Sequence, residues 1–199
     1  MARPRGDYAA RRRQVVLATC RLIAKSGVEA ATVRAVAHEL GVATKAVTRY
    51  FRSKEELLLL VLDYIIDEQI TFSTRHKGPS DDVRALIRML ATALPTTAPV
   101  RTGWRIWVAF LGQAVGNPAL QRHHRQRYDR LRSVVLEWLT HFAAGGAIPQ
   151  AAASRASADH LLALLDGIGV REAVNPRSIP AARQREMLAR AFASVVGGN

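Results

Sequence analysis

GVATKAVTRYF, residues 41–51, decides how this chain folds. A glycine ends one run and a short polar run follows. On a helix of 3.6 residues per turn, Val47 and the pair Tyr50-Phe51 face inward. Thr44 and Thr48 fall one turn apart on another face, as do Lys45 and Arg49. A segment built only to pack would not hold so many hydroxyls and cations. Upstream, Thr32 is placed to cap a helix in which Val33, Val36, Ala37 and Leu40 recur at i, i+3, i+4 and i+7. Gly41 closes that helix, because glycine adopts the left-handed conformation of a helix end without a steric penalty. Two short helices joined across Gly41-Val42-Ala43 form a helix-turn-helix corner. Its second helix, residues 44–50, packs by one face and offers polar groups by the other, as a recognition helix in a DNA major groove must. Spacing alone also allows a solvated basic face on an ordinary short helix.

Charge points the same way. The 199-residue chain has a formal net charge of +13. Residues 1–54 hold 12 Lys/Arg against 3 Asp/Glu, a net of +9, and residues 55–199 hold 17 against 13, a net of +4. A basic region attracts polyanions, nucleic acid or anionic lipid. Hydrophobic content of 49% with 23% charged residues suits a packed core and excludes wholesale disorder. No apolar run reaches the ~18 residues of a membrane span, and MARPRGDYAARRR lacks an apolar signal core. A cytoplasmic protein with no membrane partner is therefore expected. The single cysteine, Cys20, excludes an internal disulfide and a cysteine-based zinc cluster, and reads as a small buried hydrophobe.

Punctuation along the chain predicts an all-α fold of about nine helices. Val15, Ala18, Leu22 and Ile23 mark a first helix that stops near Ser26-Gly27. Ser53 with Glu56 forms a capping box, opening a long apolar helix that reaches about Phe72. HKGPSDD (76–82) is a loop, with Ser80 or Asp81 capping a helix to about Leu94, and PTTAP (95–99) breaks it. Trp104, Trp107, Val108 and Leu111 form the inner stripe of the next helix. Asn117-Pro118 starts another, since proline at the first helical position loses no hydrogen bond. That helix runs through Leu120, His124, Tyr128, Leu131, Val135 and Trp138. Two more are expected at about 154–174 and 181–195, the last with Leu188, Ala191, Phe192 and Val195 inward. The expected division is 1–54 for an N-terminal arm and helix-turn-helix domain, and 55–199 for a helical effector-binding and dimerisation domain.

Residues 11–62 resemble the DNA-binding domain of the TetR family of transcriptional regulators. The match rests on Val15, Ala18, Leu22, Ile23 and Gly27, on Thr32, Val33, Val36, Ala37 and Gly41-Val42, and on Val47, Tyr50-Phe51 and Ser53-Lys54-Glu55-Glu56-Leu57. The resemblance implies that Thr44, Lys45, Thr48 and Arg49 face the groove and that Tyr50 and Lys54 contact phosphate. Thr32 sits at a helix N-terminus, which favours anions. Arg3, Arg5 and Arg11 to Arg13 trail along the backbone or into a minor groove, or are a disordered arm without function. Three positions depart from the family pattern. Ala43 stands in place of a capping serine, so Thr44 is expected to take over the cap. Lys45 stands in place of a common glycine, and Thr48 in place of a tyrosine that touches phosphate.

The remainder resembles the family's regulatory domain more loosely. Trp104 through Asn117-Pro118, and ALLDGIGVREAV (163–174), are similar to the choline-responsive repressor subgroup. Tyr64, Trp104, Trp107, Phe110, His124, Tyr128 and Asp166 are the candidates to line an effector cavity, or else belong to plain core. The faces of tryptophans suit a cationic ligand. The family pairs its last two helices with their copies in a homodimer, which assigns Gly167, Gly169, Leu188 and Phe192 to the dimer interface. A glycine inside a helix costs about 1 kcal/mol relative to alanine, which close approach of a second helix repays; an intrachain neighbour is the other possible partner. A two-fold dimer sets its recognition helices about 34 Å apart for a palindromic operator. The function implied is a repressor released from double-stranded DNA by a small molecule, with activation as the alternative. His123-His124, Asp159-His160 and Asp166 come with no metal spacing, phosphate loop or nucleophile elbow. No catalytic residue, metal or cofactor is therefore expected. A basic protein of RNA or membrane surfaces is the third reading, and salt-dependent DNA binding separates the three.

Overall fold

The computed structural model describes residues 5–51, 53–75 and 82–197, with side chains from Tyr8 onward. Among the described residues there are nine α-helices and no strand. They are α1 (Arg5–Ser26), α2 (Val33–Glu39), α3 (Thr44–Val47), α4 (Lys54–Arg75), α5 (Val83–Ala91), α6 (Ala98–Ala114), α7 (Pro118–Ala144), α8 (Arg155–Val174) and α9 (Ala181–Gly197).

Helix ends follow local chemistry. Thr32 Oγ1 accepts from Ala35 N at 3.1 Å and caps α2. Gly41 has φ 64°, and Val42 N donates back to Ala37 O at 3.0 Å, the six-to-one bond of a Schellman closure. Ser53 Oγ accepts from Glu56 N at 3.2 Å at the start of α4. Asn117 Oδ1 accepts from Ala119 N and Leu120 N, and Pro118 follows it in the first turn of α7.

Three local expectations are corrected. Asp82, not Ser80 or Asp81, caps α5, with Oδ1 2.8 Å from Ala85 N; residues 80 and 81 lie outside the described residues. The helix stops at Ala91 rather than Leu94. Ala43, not Thr44, occupies the cap position of α3 and makes no side-chain cap bond. With no such bond α3 stays short, ending at Val47, and residues 48–50 continue as a turn instead of helix.

Two apolar clusters hold the helices together. The first joins α1, α2, α3 and the first half of α4 to Ile106, Trp107, Phe110 and Ala114 of α6. The second joins α5, α7, α8 and α9 around Leu86, Leu139, Phe142, Leu161 and Leu188. Cys20 is partly buried beside the first cluster, and burial pushes its thiol up to about 11.

The turn from α8 into α9 is anchored by a residue that periodicity does not flag. Glu172 is buried, and its carboxylate accepts from Arg177 N at 3.1 Å, Ser178 Oγ at 3.1 Å and Ile179 N at 2.7 Å. The turn needs the anchor because Arg177 sits at φ 67°, a conformation that costs a non-glycine residue about 1–3 kcal/mol. Glu172→Ala leaves these donors without an acceptor. An unsatisfied buried donor costs about 1–3 kcal/mol, so a loss near 3 kcal/mol is expected. That lowers the melting temperature by roughly 6–12 °C in a chain of this size, read by circular dichroism.

Candidate nucleic-acid interface and effector region

The corner formed by α2 and α3 is held from inside. Val47 and Phe51 are each 1% exposed in the first cluster. Their burial turns the other side of the segment outward, and Thr44, Lys45, Thr48 and Arg49 are all exposed. The Thr48 hydroxyl donates to Lys45 O at 3.1 Å. Tyr50 is half-buried, and its ring meets Tyr8 with centroids 5.0 Å apart. The Thr32 hydroxyl is engaged as the α2 cap. Lys54 departs from the expected free phosphate contact, because its Nζ lies 2.6 Å from Glu29 Oε2 in the turn after α1. Glu29 is 90% exposed, so this pair is weak and screened. Arg3 and the side chain of Arg5 lie outside the described residues. The backbone from Arg5 onward is helix and not a trailing arm, which places exposed Arg11, Arg12 and Arg13 on the first turns of α1.

In the larger half, four of the seven residues expected at an effector site come together as rings. Trp107 stacks on His124 at 5.3 Å, His124 on Tyr128 at 5.6 Å, and Phe110 lies 6.0 Å from Trp107. A fifth, Asp166 of α8, accepts from the Tyr128 hydroxyl. Burial pushes the Asp166 carboxyl up to about 6, although the Tyr128 bond pulls it back. Burial, then the neighbouring Arg125 charge, lowers His124 and favours its neutral imidazole. Trp107 Nε1 is buried without a hydrogen-bond partner. The other two residues are elsewhere. Tyr64 turns to α1, where its hydroxyl accepts from Arg13 at 3.2 Å. Trp104 donates its indole N–H to Ala93 O at 2.9 Å and lies flat against Gly169.

The cavity in this half is lined by none of those seven residues. It measures about 50 Å³ and is bounded by Gln69 and Ser73 of α4, Met89 of α5, Leu131 and Trp138 of α7 and Leu165 of α8, among others. Gln69 Nε2 donates to Ser73 Oγ at 3.1 Å and to Thr92 Oγ1 at 2.8 Å. This polar trio was missed. Its one sequence signal is Gln69 and Ser73 at i, i+4 of α4. Of its lining residues, Leu131 stands one helical turn after Tyr128 on α7, and Leu165 directly precedes Asp166 on α8.

The expected dimer residues divide. Gly169 is buried against the Trp104 indole of its own chain. Leu188 and Phe192 are 0% and 2% exposed inside the second cluster. These three are corrected to intrachain core, because α9 turns that stripe toward α5 and α8. Gly167 is exposed with nothing within 4 Å. It lies in an outward stripe of α8 with Ala156, His160, Ala163, Arg171 and Val174.

Arg127 of α7 is a further residue that sequence reasoning passed over. It is buried, ion-pairs with Asp63 at 2.6 Å, and donates to Leu59 O of α4 and His123 O. One turn on, Arg130 pairs with Asp67. The ring-bearing helix is thereby strapped to the helix that leads out of the α1–α3 corner. Among the described residues no group of His, Cys, Asp and Glu is arranged to hold a metal, and no helix is long and apolar enough to cross a membrane.

Comparison with known proteins agrees with this architecture. Residues 15–61 match the model of bacterial regulatory proteins of the tetR family. Residues 82–197 match that of the BetI-type transcriptional repressor C-terminal region. The HTH-type transcriptional regulator BetI of Burkholderia mallei (strain NCTC 10229) is 31% identical over 169 residues, 82% of each chain. That of Paraburkholderia phytofirmans is 29% identical over 170 residues, 83% of each. Among solved structures, a putative TetR-family transcriptional regulator from Rhodococcus sp. superposes with a TM-score of 0.80 at 23% identity, covering 94% of this chain and 99% of that one. A putative transcriptional regulator from Saccharomonospora viridis in complex with choline gives 0.77 at 24% identity, covering 94% and 97%. With its helix-turn-helix corner at the N-terminus and a BetI-type helical region behind it, this chain belongs to the TetR family of bacterial transcriptional regulators.

Proposed function

We propose that the protein is a homodimeric repressor that holds a palindromic operator and is released when a small molecule binds its larger half. Residues 1–54 read DNA, and residues 55–199 bind the effector and dimerise. The observation that supports this most is the outward presentation of Thr44, Lys45, Thr48 and Arg49 on a segment whose other side is sealed by Val47 and Phe51. Thr32 and Tyr50 flank the same surface. The outward stripe of α8 that includes Gly167, together with the exposed side of α9, forms the dimer face. Its alanines and glycine allow backbones to approach closely, and Val174, 71% exposed, is apolar surface that a partner would cover.

The effector site is the junction of the cavity with Trp107, Phe110, His124, Tyr128 and Asp166. At about 50 Å³ the cavity holds a few waters, so an effector must part the rings to enter. Arg127 and Arg130 offer the route outward, because movement of α7 pulls on Asp63 and Asp67 of α4. An effector acts only if it prefers the state in which the recognition helices are wrongly spaced.

The test is a salt-dependent shift assay on the duplex upstream of the protein's own coding region, with mass measured alongside. Binding as a dimer, steeply weakened by salt, is expected. A monomer, or a dimer indifferent to that duplex, overturns the reading.

A further inference from the structure

The cavity of about 50 Å³ between α4, α5, α7 and α8 has an apolar body and one polar wall. Among its described lining residues none is charged, and only Gln69 and Ser73 are polar. Ser73 is 3% exposed, and its hydroxyl lies 2.5 Å from that of Thr92, the residue that closes α5. Gln69 donates to both hydroxyl oxygens, and Thr92 Oγ1 can give its proton to Ser73 or to Met89 O, 2.6 Å away. The trio satisfies itself. Its hydroxyl hydrogens nevertheless rotate, so it can turn a donor or a lone pair to a guest. An apolar lining with a few placed polar groups is the usual make-up of a site for a small organic molecule.

A cation is poorly served in this half. A buried charge needs an opposite charge or a set of open aromatic faces. Trp138 is the one aromatic ring among the described lining residues, and a single face without a carboxylate does not offset the desolvation of an ammonium group. In the ring group, Asp166 already accepts from Tyr128, and His124 stacks on both Trp107 and Tyr128. The Arg132 guanidinium stands 5.5 Å from the centre of the Tyr128 ring, so a second cation there is repelled. We propose that the effector is an uncharged aliphatic molecule with a single hydroxyl or carbonyl end, which Gln69, Ser73 and Thr92 receive while its chain parts Leu131 and Trp138 of α7 from Ile70 of α4. The guest enters between the two helices that the Arg127–Asp63 ion pair joins. The proposal rests on the reading of the larger half as the effector domain, and it names the chemical class that domain takes.

The experiment titrates the full chain with neutral and cationic probes and follows tryptophan fluorescence, since Trp138 lines the cavity. n-Hexanol and methyl butyl ketone are expected to saturate. n-Hexylammonium, the same chain with a cationic end, and tetramethylammonium are expected to bind at least about tenfold more weakly. Ser73→Ala and Thr92→Val should each weaken n-hexanol about tenfold, the loss of one hydrogen bond. Circular dichroism checks that each variant keeps its fold, and the comparison of probes on the wild type needs no variant. Tighter binding of either ammonium than of n-hexanol overturns the proposal. So does wild-type affinity for n-hexanol in both variants. Saturation by none of the probes makes the cavity a water site and also overturns it. Anisotropy of the labelled upstream duplex is read in the same titrations, with release by n-hexanol expected. Release by tetramethylammonium without binding of n-hexanol keeps the repressor and removes this ligand class. Binding of n-hexanol that leaves the duplex held keeps the polar wall as a binding site but overturns the release reading on which the proposal rests.

Discussion

Replacing Lys45 and Arg49 together with alanine is expected to cut operator affinity by about 1,000-fold while leaving the fold intact. Each contact to DNA contributes roughly 1–3 kcal/mol, and the two-fold assembly loses four of them. Even at the lower end the total is about 4 kcal/mol, or three decades in affinity at ~1.4 kcal/mol each. Both side chains are exposed, so their removal should move stability by no more than ~0.5 kcal/mol. The salt series adds a second answer. Contacts to phosphate lower the slope by about one per lost contact, whereas contacts to base edges leave it unchanged and relax sequence preference. An affinity within twofold of wild type would remove α3 from the interface.

Gly169→Ala should be the most disruptive single substitution in the larger half. A Cβ at this position falls inside the indole of Trp104. The ring cannot retreat freely, because its N–H is held by Ala93 O at 2.9 Å. Overpacking typically costs 1–3 kcal/mol and occasionally more. Here the overlap is with a rigid ring rather than a flexible chain end, so at least about 3 kcal/mol is expected, or roughly 6–12 °C in melting temperature for a chain of this size. Tryptophan fluorescence reports the same event directly. Gly167→Ala, two residues away, is the control. Its added methyl meets nothing within 4 Å in the protomer, and alanine is favoured in a helix by up to about 1 kcal/mol. Its cost should appear only on dilution, as weaker self-association across the α8 face. Equal melting of the two variants would refute the assignment of Gly169 to an intrachain contact.

Much of the fold was legible because its signals are local. Thr32, Ser53 and Asn117 bond to backbone N–H groups within three residues, so their capping roles depend on nothing distant. Gly41 ends α2 by its own backbone freedom. Val47 and Phe51 follow from helical spacing, and with them the outward side of residues 44–49. The candidate effector residues were legible only in part. Trp107, His124 and Tyr128 share a stack, but Trp104 and Tyr64 have the same composition and turn elsewhere. An aromatic stripe has more than one neighbour available, and no local bond selects among them.

What residue order alone determined is where helices start and stop, and which side of the corner is polar, since caps, turns and amphipathic spacing act within one or two helical turns. What only the tertiary structure decided is who meets whom. Leu188 and Phe192 belong to the protomer core rather than the dimer face, Gly169 receives a tryptophan rather than a partner helix, and Arg127 reaches α4. Apolar area is gained equally well against any complementary surface, and a charge pairs with whichever opposite charge packing brings near. Those choices are made by the assembled helices, across separations in sequence that no local pattern records.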